Sequence, residues 1–225
     1  MLPTRGRPEA MARSVRSLLD TADPSAGGVE ILLGVDDDDG SYPDEMVESL
    51  GAKKFVHPRY GYAQLHIYYT RLAAKAKGDW LFLWNDDALM TTPGWNRVVS
   101  GYDGRFLVLN PEERYCRNQS RNACIFPIVP TDWTRVLGGL SPHVCNDTYV
   151  ELVVNELGIN TAVPILVEHQ RADHTGLNDD ETYRESRPHA GHVGQLFSDP
   201  AYLDCRRHAV EALRYHMSFL KTGEI

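Results

Sequence analysis

Two rhythms of apolar and polar residues run through this chain. In the first, a mainly apolar run stops at a group of acids. Val29 to Val35 runs into Asp36-Asp37-Asp38-Asp39, and Trp80 to Trp84 runs into Asn85-Asp86-Asp87. Short apolar runs of this kind read as buried strands. In the second rhythm, apolar residues recur every three or four positions. Met11, Val15, Leu18 and Leu19 follow Pro8-Glu9, a pair suited to a helix start. Leu65, Tyr68, Tyr69, Leu72 and Ala76 mark the inner side of a helix over 63–77, and Asn146 to Leu157 is a helix that Gly158 stops. Shorter patterns predict a helix over 43–50 and strands at 55–56, 106–109, 123–129 and 163–168. Asp20 to Gly28 is turn-rich, and Asp204 to Lys221 closes the chain as a helix. Residues 171–200 are polar and rich in His, Asp and Gly, which predicts a long mobile loop of the kind that often serves as a lid. Strands alternating with helices imply an α/β fold with a mostly parallel central sheet flanked by helices. With no internal repeat and no linker, residues 1–225 read as one domain.

Composition narrows the partners more than the fold. A chain of 225 residues buries roughly 70% of its unfolded surface and needs no disulfides for a stable core. Cys116, Cys124, Cys145 and Cys205 are irregularly spaced, without a Cys-x-x-Cys pair, and read as reduced thiols. No apolar run reaches membrane-spanning length, and no basic-then-apolar leader opens the chain, so the cytoplasm is the expected compartment. The formal charge of −8 disfavours a broad nucleic-acid face, which needs Lys and Arg against phosphate. A local basic strip with Arg114, Arg117 and Arg121 around Tyr115 keeps DNA as the less favoured partner.

The candidate chemistry sits at the strand ends. Carboxylates at the end of a buried strand are costly unless something pairs with them, and hard oxygen ligands suit Mg²⁺ or Mn²⁺. Ligands of open α/β sheets lie just beyond the carboxyl ends of the strands. Asp86 and Asp87 are therefore candidate metal ligands. Asp36 and Asp37 are evenly balanced between a functional site and a solvated turn, while Asp38 and Asp39 read as solvated. Arg5 and Arg7 are either phosphate forks or a solvated pair at a helix start. Tyr62 and Gln64, opening the helix before the second acid cluster, are candidates for lining a nucleotide pocket. Trp84 reads as core beside the site, and Trp95 as an anchor of the following turn. His189-Ala190-Gly191-His192 has weak metal-binding spacing. Asp147 stands at the start of a helix, where an acid ordinarily stabilises the macrodipole.

The ordered set Pro3-Thr4-Arg5-Gly6-Arg7-Pro8, Gly34-Val35-Asp36-Asp37, Gly78-Asp79-Trp80 through Asn85-Asp86-Asp87, and Pro93-Gly94-Trp95 resembles the GT-A glycosyltransferases. It is most similar to the family-2-like branch of bacteria and phages. The likeness covers about residues 2–185. It departs from the family in two places. Only Met1 and Leu2 precede Pro3, where the family has a full strand, and Asn85 replaces the first acid of Asp-x-Asp. The resemblance implies that Pro3, Thr4, Arg5, Arg7, Asp36, Asn85 and Asp86 hold a nucleotide-diphosphate sugar. It implies that Asp86 and Asp87 hold Mn²⁺ or Mg²⁺ and that a His after the last strand, His169 or else His174, completes the metal site. It also implies that Asp147, following Gly138-Gly139-Leu140, is the general base of an inverting transfer to a hydroxyl acceptor. Asp179, Asp180 and Tyr183 resemble the family's Asp-x-x-Tyr stretch, though as residues they read as solvated loop. Two other functions remain open. A nucleotidyltransferase would want a Gly-rich, Lys-containing first loop, which Pro3–Pro8 is not. A non-catalytic nucleotide-sugar or cation-binding module is compatible with the missing acid.

Overall fold

The computed structural model describes residues 1–115, 124–171 and 181–222. An N-terminal sheet has three parallel strands in the order β1 (Leu2–Pro3), β2 (Ile31–Asp36), β3 (Ala52–His57). The helices α1 (Pro8–Thr21) and α2 (Asp44–Ser49) connect them. All six residues of β2 are buried, as an unbroken apolar run requires of a strand covered on both faces. A 3₁₀ turn at Tyr62–Gln64 leads into α3 (Leu65–Ala73), and then β4 (Trp80–Phe82) opens the second sheet.

That second sheet is mixed. It adds β5 (Ala88–Met90), β6 (Val108–Glu113), β7 (Ile128–Pro130) and β8 (Asn160–His169) in the spatial order β4-β7-β6-β8-β5. Only β6 and β8 run parallel within it, so parallel pairing is concentrated in the N-terminal half. The backbone of Met1 bridges the sheets: its amino group donates to Phe82 O at 2.9 Å and its carbonyl accepts from Trp84 N at 3.1 Å. The short first strand thus suffices to bring the ends of β2 and β4 side by side. Side chains alternate across the mixed sheet. Val108 joins the core under α6 (Asn146–Leu157), and Leu109 joins the core under α1.

The periodic helices and buried strands lie where the pattern places them, shifted at their ends. The expected strand at 123–129 is displaced to Ile128–Pro130, Ala123 lying outside the described residues. Three elements escape the pattern: β5, α4 (Trp95–Ser100) and α5 (Thr131–Leu137). Each has seven residues or fewer, too few turns to display a period. The polar stretch differs more. Among its described residues it is helical: α7 (Glu181–Ser186), a 3₁₀ stretch at Arg187–Gly194, and α8 (Gln195–Ser198) lead into α9 (Pro200–Thr222). No residue of α7 is buried, so hydrophobic periodicity had nothing to record there. None of the described helices is long and apolar enough to cross a membrane.

Candidate active site

The ends of β1, β2 and β4 converge on a cleft of about 590 Å³, closed on its far side by the start of α6 and covered by α7. Buried Tyr42 organises its floor. Its hydroxyl accepts from Arg7 N at 2.9 Å and lies 2.7 Å from Thr4 Oγ1, which donates to Asp86 Oδ2 at 2.7 Å. Arg7 donates to Asp86 Oδ1 at 3.1 Å, so both Asp86 oxygens are occupied within the protein. Both partners are almost fully buried, at 7% and 8% side-chain exposure. Burial pushes the Asp86 carboxyl up to about 6 against the pull of Arg7.

Asp87 faces the opposite way. Its Oδ1 is 3.0 Å from His169 Nε2, and its Oδ2 accepts from Tyr183 Oη at 3.0 Å. Burial pushes this carboxyl up, but the contacts with His169, Arg7 and Tyr183 outweigh it and hold the group below its ordinary value. The 3.0 Å between Asp87 Oδ1 and His169 Nε2 matches the spacing of neighbouring donors around a six-coordinate ion with bonds of about 2.1 Å. No group of three or more His, Cys, Asp or Glu among the described residues forms a complete cage. Mg²⁺-like ions are commonly held by one or two carboxylates and take their other ligands from phosphate and water. Asp87 and His169 fit such an ion; Asp86 lies behind them, tied to Arg7.

The part of the cleft at the end of β2 is centred on Asp36, which is 5% exposed. It accepts from Arg5 at 3.0 Å and from the Tyr68 hydroxyl. Arg5 also forks onto Asp38. Asp39 accepts from Gly6 N at 2.8 Å, so the two acids expected to be merely solvated brace the first loop. Asp37 is exposed and lies outside the cleft. Tyr62 lines the cleft, its hydroxyl pushed up to about 12 by burial and by the nearby Asp147 charge. Gln64 is exposed and does not line it: the 3₁₀ turn directs the inward position to Tyr62 and leaves Gln64 in solvent. Asn85 lines the cleft with Oδ1 3.0 Å from the Tyr69 hydroxyl. Trp84 is core, donating to Ser14 Oγ at 2.7 Å, and Trp95 anchors its turn by donating to Leu18 O at 2.9 Å.

Asp147 occupies the first turn of α6, accepts from Thr148 N at 2.8 Å and also lines the cleft. Burial raises its pKa. The two local readings, helix-start acid and cleft carboxylate, describe the same side chain. Above the cleft, α7 places Tyr183 on Asp87, Thr182 Oγ1 on Arg5 O at 3.3 Å and Glu185 on Tyr62 N at 2.9 Å, and Glu185 also pairs with Arg59 at 3.4 Å. Arg7 lies 5.0 Å over the Tyr183 ring. Tyr183 is therefore part of the site and not solvated loop, because α7 folds back across it. His189 stacks on Tyr62 at 5.9 Å and meets His192 at 3.3 Å, with no third metal ligand among the described residues. Arg114 is paired with Glu168; Arg117, Arg121, His174, Asp179 and Asp180 lie outside the described residues. Cys124, Cys145 and Cys205 are free thiols, and Cys116 is also outside. The sequence pattern marks Tyr68 only as an inward helix position and does not single out Tyr42, Glu151 or Glu185.

No protein-family profile matches the chain, and no curated protein matches it. Solved structures do. A mannosyltransferase from Pyrobaculum calidifontis, in complex with GDP-Man and Mn²⁺, aligns with 99% of this chain and 78% of its own at TM-score 0.56 and 12% identity. Glucosyl-3-phosphoglycerate synthase from Mycobacterium tuberculosis, in complex with Mn²⁺, UDP-Glc and phosphoglyceric acid, aligns over 84% and 78% at TM-score 0.55 and 14% identity. S. aureus TarS aligns over 88% of this chain and 43% of its own at TM-score 0.57 and 13% identity. Shared across nearly the whole length at such low identity, the architecture of this chain is the GT-A glycosyltransferase fold.

Proposed function

We propose that the protein is a metal-dependent glycosyltransferase that moves a sugar from a nucleotide-diphosphate sugar to a hydroxyl acceptor with inversion. One observation carries this reading: a single cleft gathers the strand-end acids Asp36, Asp86 and Asp87, the His169 imidazole and the helix-start acid Asp147. The metal-bound and nucleotide-sugar-bound neighbours of the same fold support it.

In this reading Asp36, Arg5 and Pro3 hold the nucleoside, and Thr4, Arg7 and Asn85 form the floor beneath the diphosphate. Asp87 and His169 hold Mn²⁺ or Mg²⁺, with Asp86 fixing Arg7 beside them. When bound, the ion offsets negative charge on the diphosphate leaving group. Asp147 accepts the proton of the acceptor hydroxyl as that oxygen attacks the anomeric carbon. The bond from the anomeric carbon to the phosphate oxygen breaks, and its electron pair leaves with the nucleoside diphosphate. The raised pKa of a buried Asp147 makes it a better base than an exposed carboxylate. Covered by α7, the cleft keeps water away from the transferring sugar.

The asparagine at position 85 favours one second reading, a non-catalytic module that binds the same donor. Measured with the full chain, Mn²⁺ and either UDP-glucose or GDP-mannose, slow donor hydrolysis that stops on chelation supports the enzyme. Saturable binding with no turnover supports the module. Release of pyrophosphate instead of nucleoside diphosphate would mark a nucleotidyltransferase. DNA is the disfavoured acceptor, since Arg114 is committed to Glu168.

A further inference from the structure

The acceptor end of the cleft has a chemistry that the donor end lacks. Asn146, 3% exposed, lines it and donates Nδ2 to Val144 O at 3.0 Å. That bond fixes the amide orientation and leaves Oδ1 as a buried acceptor without a partner. Asp147 is next in sequence, and Glu151 follows one turn later on the same helix face. Asp147 Oδ1 accepts from Thr148 N at 2.8 Å, and the carboxylate also takes the Thr148 side-chain hydroxyl, while Glu151 Oε2 accepts from Cys124 N at 3.2 Å. Neither takes part in an ion pair among the described residues, and both line the cleft. Arg171, two residues past His169, also lines the cleft, and its charge acts on the Tyr62 hydroxyl as those of Asp147 and Asp87 do.

We infer that the first turns of α6 form a wall for a neutral, polyhydroxylated acceptor, with Glu151 as the specificity-determining residue. This rests on the glycosyltransferase reading and names its acceptor class. The wall offers hydrogen-bond acceptors and no charged donor. Sugar hydroxyls supply the complementary donors, and a hydroxyl presented to Asp147 can leave a neighbouring one on Glu151. Leu65, Val144 and Val193 add apolar surface to the same cleft for the C–H face of a sugar ring. A phosphate or carboxylate placed here meets two carboxylates, and like charges so placed select against a ligand.

The test uses the full chain with Mn²⁺ and UDP or GDP. Saturation-transfer NMR titrations compare methyl α-glucoside and methyl α-mannoside with their 6-phosphates. The expected result is saturable binding of the neutral glycosides, about tenfold or more tighter than their phosphates. Glu151→Gln narrows that gap and Glu151→Lys reverses it. Glu151→Gln preserves the acceptor for Cys124 N, and its melting curve reports intact folding. Absence of saturable glycoside binding, equal or tighter binding of the phosphates, or an unchanged gap in both variants overturns the inference. Calorimetry of nucleotide and Mn²⁺ on the same wild-type sample keeps the two ideas separable. Lost nucleotide binding sinks the donor reading, while intact binding with no glycoside selectivity sinks only the acceptor wall.

Discussion

The two ends of the cleft treat their carboxylates in opposite ways. At the end proposed for the donor, every oxygen of Asp86 and Asp87 has a side-chain partner: Thr4 and Arg7 for one, His169 and Tyr183 for the other. At the end proposed for the acceptor, Asp147 and Glu151 hold backbone N–H groups, Asp147 also takes the Thr148 hydroxyl, and neither forms an ion pair among the described residues. The difference matches the chemistry asked of each. A diphosphate and its ion need a rigid, preorganised array of charge. A base must stay free to exchange a proton, and an acceptor pocket must keep hydrogen-bonding capacity for its ligand.

Substitutions at the two ends should therefore fail differently. The largest effect belongs to Asp87→Ala, which removes a candidate ion ligand together with the anchor for His169 and Tyr183. Donor hydrolysis should fall by about 10³-fold, the scale of losing one electrostatic stabiliser at a leaving group, and excess Mn²⁺ should not restore it. Asp147→Asn should leave nucleotide binding intact and reduce transfer by ~10²-fold or more. Wild-type rate in that variant would return Asp147 to a purely helix-stabilising role. Burial raises this pKa, and the base works only when deprotonated. Activity should thus fall as pH drops through a value above the ordinary carboxylate range, and the acid limb should vanish in Asp147→Asn.

Asp36→Ala tests the proposed nucleoside side, removing the acceptor of the Tyr68 hydroxyl and leaving Arg5 with Asp38 alone. Calorimetry should show nucleotide binding weaker by about 1–3 kcal/mol; unchanged affinity would make Asp36 a structural brace alone. The smallest effect concerns the cover. Gly61 has φ +73°, and a Cβ there would come within 2.9 Å of Glu185 Oε1, the acceptor for Tyr62 N. Gly61→Ala should cost about 1–2 kcal/mol from the left-handed backbone. It should also loosen α7, seen as faster amide exchange over 181–186 with the β2 amides unchanged.

What could be read from sequence follows the same division. The strand-end acids stand out because an apolar run breaks into charge, a purely local signal. Arg5, Arg7, Asp36, Asp86, Asp87, Tyr62 and Asp147 were found this way or through the motif order, and all line the cleft. Tyr42, Tyr68 and Glu185 were not, because their roles arise from contacts 38, 32 and 123 residues away, where local spacing carries no information. The cover was misread as loop for a related reason: α7 has no buried residue and is held by polar contacts to the site. Gln64 shows the converse failure, since a 3₁₀ turn changes which neighbour faces inward.

The central claim is that one cleft holds donor, ion and base together. Its most direct test is a crystal soaked with Mn²⁺ and UDP-glucose or GDP-mannose, with anomalous scattering used to locate the manganese. The account predicts a peak bonded to Asp87 and His169, a diphosphate beside Arg7, and the sugar's anomeric carbon facing Asp147. Manganese elsewhere on the protein, or a nucleotide bound away from Asp36 and Asp86, would contradict it.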